Sequence, residues 1–313
     1  MRIVILGTGP FAVPSLRKLH ASQHEVVCAV SRPPRGRRPL PAPVPTAAEE
    51  LGIAVWLPET VNAEAACKRL AALDADLLVV CDYGEILKSQ TLATSRLGGI
   101  NLHGSLLPKY RGAAPVQWAI LNGEQETGNT VIQMTPGLDA GPCLGVQRIA
   151  IDPDETAGEL EYRMAELGAD LTLDVVDQLE TGTAAAVPQD KSMATKAPRL
   201  TKELGCIDWS MSAVRIKNQV RALQPWPKAF TYWERRAADE PLRLIIHQVS
   251  VEPSSGTNDP STAGVVVRAR PEFLIATGEG LLRLEVIQPA GKRKMAAEEF
   301  LRGHPVEAGD RLD

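Results

Sequence analysis

Apolar and polar positions follow two regimes along the chain. Up to Cys81, unbroken apolar runs of strand length at 3–6, 26–30 and 77–81 alternate with stretches where apolar residues return every three or four positions, such as Leu16 and Leu19, or Ala66 and Leu70. Continuous apolar runs suit strands covered on both faces, and the wider spacing suits helices lying on a sheet. The pattern predicts strands over 2–6, 25–30, 53–56, 76–81 and 99–103, with helices over 14–20, 47–51, 63–73 and 115–121. Strand and helix in alternation give an α/β domain with a doubly wound, mostly parallel sheet.

Further on, 128–134 and 143–149 alternate as a hairpin-like pair. Apolar positions at Leu160, Met164, Leu167, Leu171, Val175 and Leu179 mark one long amphipathic helix. The pattern then fades over 182–201 and resumes differently: a helix over 212–223, a Pro225-Trp226-Pro227 corner, and short alternating runs at 229–233, 242–251, 263–267, 273–277 and 281–287. Several short strands joined by turns predict a small β-barrel. The expected organisation is therefore a first domain over 1–181, a linker over 182–201 and a second domain over 202–313.

Composition narrows the class. Hydrophobic residues at 44% and charged residues at 23% exclude a disordered or fibrous chain. The apolar start stops at Gly7 after one strand's length, and no apolar run approaches the roughly 20 residues of a membrane helix. A cytoplasmic protein with no membrane partner is expected, and nothing demands more than a monomer. Cys28, Cys67, Cys81, Cys143 and Cys206 are scattered without a C-x-x-C pair, and the histidines are equally dispersed, so no metal site is expected. The net charge of −4 does not advertise a polyanion partner, which must be met by local patches.

Gly7-Thr8-Gly9-Pro10-Phe11-Ala12 resembles a dinucleotide turn. The next strand ends in Ser31-Arg32, without the acidic residue that would hold a ribose hydroxyl, which leaves only an NADP-linked oxidoreductase as a reading of that turn. The basic, proline-rich 32–44 stretch is too proline-rich for regular structure. It suits phosphate contacts, though a solvated loop explains it as well.

The strongest concentration of chemistry is Asn101-Leu102-His103-Gly104 with Met134-Thr135-Pro136-Gly137-Leu138-Asp139-Ala140-Gly141. Two residues apart at a strand end, Asn101 and His103 leave the same face. Asp139 sits between glycines, in a loop that can bend sharply. An amide, an imidazole and a carboxylate can hold a carbonyl oxygen and move a proton near neutral pH. No serine or cysteine sits in an activated setting such as G-x-S-x-G, which points to direct transfer onto an incoming nucleophile. An isolated N-x-H fits an ordinary strand equally well; the nearby glycines, Pro108 and Arg111 favour a site.

Residues 101–115, N-L-H-G-S-L-L-P-K-Y-R-G-A-A-P, followed by G-x-T-V-I-Q-M-x-x-G-L-D-A-G, resemble the formyltransferases that use 10-formyltetrahydrofolate. The resemblance runs over nearly the whole chain. It implies a Rossmann-like formyltransferase domain followed by an OB-like domain that binds transfer RNA, and transfer of a formyl group to the α-amine of methionine on initiator transfer RNA, in translation initiation. It implies Asn101, His103 and Asp139 as catalytic residues, and folate contacts from Tyr83, Gly84, Ile86, Ser105, Leu106, Leu107 and Pro108. It further implies transfer-RNA contacts from Arg35, Arg37, Arg38, Lys292, Arg293 and Lys294. Asp82 and Lys88 depart from the family's alanine and proline. The same resemblance admits a small amine as acceptor, or water, which would make the chain a 10-formyltetrahydrofolate hydrolase. A non-catalytic RNA-binding module would leave Asn101, His103 and Asp139 unexplained.

Overall fold

The computed structural model of the chain describes residues 1–34, 42–235, 240–252 and 262–313. They form two compact units, one of Met1–Val116, Glu126–Ile151 and Glu159–Pro198, the other of Gln117–Gln125, Asp152–Gly158 and Arg199–Asp313.

In the first unit, β1 (Arg2–Gly7), α1 (Val13–His20), β2 (Glu25–Val30), α2 (Pro43–Glu50), β3 (Val55–Trp56), α3 (Glu64–Ala72), β4 (Leu77–Cys81) and β5 (Gly99–His103) follow one another as the alternation predicts, with a short α4 (Ser89–Leu92), which no period marks, between the last two strands. After β6 (Arg111–Gly112) and α5 (Pro115–Leu121), whose residues from Gln117 on belong to the second unit, come β7 (Glu126–Gln133), β8 (Cys143–Ala150), the 25-residue α6 (Ala157–Thr181) and β9 (Lys196–Ala197). Seven strands make one sheet in the order β3-β2-β1-β4-β5-β7-β8. The first five run parallel, and β7 and β8 add an antiparallel edge.

Both faces of the sheet are covered. Ile3 and Ile5 belong to a core with Leu16, Leu19 and Val176, while Val4 and Leu6 belong to another with Leu70, Leu78 and Val80. Alternate side chains of one strand thus feed two separate cores, which is why the central strands read as unbroken apolar runs. The strand order reverses beside β1, so the ligand crevice of such a fold lies at the carboxyl ends of β1, β4 and β5. Helix α2 begins earlier than the expected 47: Pro43 and Pro45 occupy its first turn, where a missing N–H costs nothing.

The second unit contains α7 (Ala213–Ala222), capped by the Ser212 side chain on the Arg215 N–H. It continues with β10 (Ala229–Trp233), β11 (Leu242–Glu252), β12 (Val266–Arg268), β13 (Phe273–Ala276), β14 (Leu281–Pro289), β15 (Met295–Ala296) and α8 (Ala297–Gly303). The antiparallel sheet runs β10-β11-β14-β13-β12, with β15 on β14. It curls, and residues 310–313 hydrogen-bond to both of its edges, through Trp233–Leu312 on one side and Val265–Arg311 on the other. This is the expected small barrel, joined by a tail segment whose pattern had predicted no strand. Phe273, Phe300, Trp233 and Leu312 share its buried core with Trp209, whose Nε1 donates to Thr231 at 2.9 Å.

Candidate active site

The geometry at the end of β5 is set by three loops. Asn101 and His103 leave the same face of the strand. His103 is 6% exposed and the Asp139 side chain 11% exposed, so both lie in a largely water-poor setting. The Nε2 of His103 is 2.9 Å from the Tyr110 carbonyl. A carbonyl can only accept, so Nε2 carries a hydrogen and Nδ1 is the nitrogen left for chemistry. Nδ1 lies 3.7 Å from Oδ2 of Asp139, and Asn101 Nδ2 reaches Oδ1 of the same carboxylate at 3.5 Å. The Gly112 N–H donates to Oδ2 at 2.9 Å, which fixes the carboxylate plane between the other two side chains. Asp139 itself adopts a left-handed φ of 46°, a conformation that most L-residues avoid.

Ser105 and Leu107 are buried, while Leu106 and Pro108 are half-buried. The Thr130 hydroxyl donates to the Ser105 carbonyl at 2.7 Å and accepts from the Leu107 N–H at 3.2 Å, so one side chain of β7 shapes this turn. On the other side, Tyr83 is buried, Gly84 has φ 81° and Ile86 is 56% exposed. Burial, aided by the Glu85 charge, holds the Tyr83 phenol above its ordinary range. Asn62 ties this loop down through Nδ2 to Glu85 and to the Ile86 carbonyl, and through Oδ1 to the Lys88 N–H. Its position in the chain had given no sign of that role.

Asp82 stands at the end of β4 with φ 48°, its carboxylate against Gly9, so a side chain at residue 9 would collide with its Oδ2. The residue is open to solvent on one side. Crowding by the protein on the other, reinforced by the Glu161 charge, pushes the carboxyl up to about 6.

The expected linker contributes directly to the first unit. Val187 and Cys143 exchange two backbone hydrogen bonds at 2.8 Å, β9 pairs with β6, and Thr195 holds the N–H groups of Tyr110 (2.8 Å) and Arg111 (2.9 Å). Gln189 meets the Asp139 loop. No periodicity marks these residues in the sequence, because each acts singly and from a polar, irregular stretch.

Among the remaining expected residues, Lys292, Arg293 and Lys294 are exposed on the second unit, and the Arg293 guanidinium engages Glu299. Arg35, Arg37 and Arg38 lie outside the described residues. Arg32, just before them, faces Glu85 at 3.5 Å. Against the expectation from dispersed histidines, the fold does gather three groups of metal-ligand type, His24, Asp177 and Glu180; there His24 is already held by Asp177 at 2.9 Å. The five cysteines are separate thiols, and Cys206 is exposed.

Asn101 and His103 on β5 and Asp139 in its loop thus meet near the carboxyl end of a switch-point sheet, and the chain belongs to the formyl transferase family. The family's "Formyl transferase" domain matches residues 1–176 and its "Formyl transferase, C-terminal domain" matches 199–305. Among its relatives, the methionyl-tRNA formyltransferase of Rhodopirellula baltica is 44% identical over 326 residues, covering 100% of this chain and 96% of its own. That of Roseiflexus castenholzii is 42% identical, covering 100% and 99%. Solved structures share the fold. The N-formyltransferase from Helicobacter canadensis with folinic acid and dTDP-3-aminofucose has a TM-score of 0.66 at 17% identity, covering 90% of this chain and 98% of its own. HypX from Aquifex aeolicus with tetrahydrofolic acid has a TM-score of 0.60 at 16% identity, covering 100% and 50%.

Proposed function

We infer that the chain transfers the formyl group of 10-formyltetrahydrofolate to the α-amine of methionine on initiator transfer RNA. The observation that carries this reading is full-length similarity, at 38–44% identity, to relatives named methionyl-tRNA formyltransferase. It is joined by the Asn101–His103–Asp139 arrangement at the switch point. The sugar-modifying fold relative is only 17% identical, which favours transfer RNA over a small amine. Against an NADP-linked reading stands Arg32, the residue that would face a 2′-phosphate, which lies against Glu85 instead.

The residues present suit the donor. Gly84 has nothing within 4 Å of the place a Cβ would take, and Ile86 is exposed, so a flat ring has room beside the 83–87 backbone. The Ser105–Pro108 turn lines the way to His103. Bound 10-formyltetrahydrofolate supplies the formyl carbonyl that the amine attacks. Asn101 Nδ2 and the Nδ1–H of protonated His103 donate to the carbonyl oxygen as it gains negative charge. Asp139 stabilises the charged imidazole and takes up the proton shed by the attacking amine, directly or through a water. As the bond from the formyl carbon to the donor nitrogen broke, the His103–Asp139 pair would return the proton taken from the amine to the leaving nitrogen.

On the second unit, Lys292, Arg293 and Lys294 offer positive charge to the phosphate backbone, and the arginine-rich 35–38 stretch offers it to the acceptor end. We read the protein as a cytoplasmic monomer; sedimentation of the pure chain checks the second point, and fractionation of cells expressing a tagged chain the first. No helix among the described residues is long and apolar enough to cross a membrane. The activity is tested by formyl transfer to methionyl initiator transfer RNA, with uncharged transfer RNA and water as controls. Product only with the charged RNA supports the reading. Formate release without RNA would make the chain a hydrolase.

A further inference from the structure

We propose that Gln189 is a positioning residue for this reaction, holding the Asp139 carboxylate in register with His103 through the backbone of the 139–141 loop. The proposal rests on the reading of Asn101, His103 and Asp139 as the reacting groups. Asp139 occupies a disfavoured left-handed conformation, and Pro136, Gly137 and Leu138 just before it are exposed, so side-chain packing does not hold the leading half of its loop.

Gln189 supplies the missing restraint. Its Nε2 donates to the Asp139 carbonyl at 2.8 Å and to the Gly141 carbonyl at 2.7 Å, bridging the two ends of the bend. Its Oε1 accepts from Arg111 Nε at 3.2 Å and Nη2 at 2.6 Å. A guanidinium only donates and a carbonyl only accepts, so the amide has one permitted orientation, and both ends of it are fully used. The two ends reach two different loops. Arg111 lies between Tyr110, whose carbonyl takes the His103 Nε2–H, and Gly112, whose N–H takes Asp139 Oδ2. A single side chain therefore ties the loop that orients the imidazole to the loop that carries the carboxylate.

Gln189 is itself anchored on both sides, by the Val187–Cys143 backbone pair before it and by Thr195 on Tyr110 and Arg111 after it. A support with that backing can transmit restraint rather than follow the loop. A Cβ at Gly141 would meet the Gln133 carbonyl, so the far end of the bend runs close against the β7 backbone and only glycine fits there. With Gln189 removed, the Asp139 and Gly141 carbonyls each lose this donor, and the carboxylate drifts from His103 while the donor and acceptor sites stay intact. The effect belongs in turnover rather than in substrate binding.

The test uses the full chain carrying Gln189→Met, which keeps the side-chain length without polar atoms, and Gln189→Glu, which keeps the acceptor for Arg111 and loses both donors. Each is measured alone and combined with Asp139→Asn, by steady-state transfer from 10-formyltetrahydrofolate to methionyl-tRNA, with melting temperature as the check on folding. The expected result is a kcat lower by about 10- to 100-fold, the scale of a displacement near 1 Å at a reacting group, with both KM values within about threefold. In the Asp139→Asn background the same change should cost less than about threefold more, since groups acting as one unit are not additive. Wild-type kcat in a folded Gln189→Met protein, when Asp139→Asn is crippled, overturns the proposal and leaves the site reading standing. An equal loss in both backgrounds also overturns it, as does failure of both variants to fold, since Gln189 would then be structural. Wild-type turnover by Asp139→Asn would overturn the site reading itself.

Discussion

The Nδ1 of His103 and the Oδ2 of Asp139 face each other across 3.7 Å, while the other ring nitrogen is held by the Tyr110 carbonyl. The imidazole thus has one free nitrogen, and a carboxylate stands beside it. His103→Gln and Asp139→Asn should each lower kcat by about two to three powers of ten, the usual loss for one donor to a developing oxyanion or its immediate support. KM for the folate should change little. Single-turnover formyl transfer checks this, and near wild-type rates in both variants would remove these residues from the chemistry.

Gly9 and Asp82 share one space. Gly9→Ala should destabilise the protein by about 1–3 kcal/mol, the usual range for an atom forced into a filled site, and Asp82→Ala should relieve most of that loss. Denaturant midpoints of the two single variants and the double variant form the cycle. Additive losses would show that the carboxylate turns away freely.

The same carboxylate gives a pH signature. Its value is raised from 3.8 to about 6 in the folded chain, so between roughly these limits the native state holds more protons than the unfolded state. Stability from this group is therefore present at low pH and is lost as pH rises through about 6. Asp82→Asn should flatten that decline and leave the variant more stable than the parent at pH 7 to 8. Urea titrations at several pH values read it out, and an unchanged difference across the window would contradict it.

Leu312 is 1% exposed and lies in the tail segment that bonds both edges of the second unit's sheet. Leu312→Ala should cost about 2–5 kcal/mol, as for other large-to-small changes in a core. The loss should appear as faster amide exchange at Tyr232 and Val266, whose N–H groups donate to Asp313 and Asp310. Unchanged protection at both would mean that the tail is not what holds those edges.

Lys292 and Lys294 are exposed on the second unit, whereas the Arg293 guanidinium is already engaged by Glu299. Replacing both lysines by alanine should weaken transfer-RNA binding and flatten the slope of log K against log salt by about 1 to 2, one counterion per lost phosphate contact. Arg293→Ala should do less. Filter binding at several salt concentrations distinguishes them, and an unchanged slope for the double lysine variant would place the RNA elsewhere.

The sequence by itself determined the long strands, most helices and the change of architecture after residue 200, because burial on two faces or one imposes a period that neighbouring residues must obey; the two-residue strands β6, β9 and β15 are too short to show one. It also determined that Asn101 and His103 share a strand face and that Asp139 lies in a sharp loop, since pleating and glycine placement are local properties. Tertiary structure alone decided which imidazole nitrogen is free, since that depends on the Tyr110 carbonyl seven residues away. It alone paired Asp82 with Gly9, brought residues 310–313 to both edges of the barrel, and set Gln189 on the Asp139 loop. Each of these is a single contact between segments distant in the chain, made by residues outside any repeating pattern. A hydrophobic period records how much of an element is covered; it carries no record of which distant polar atom completes a loop.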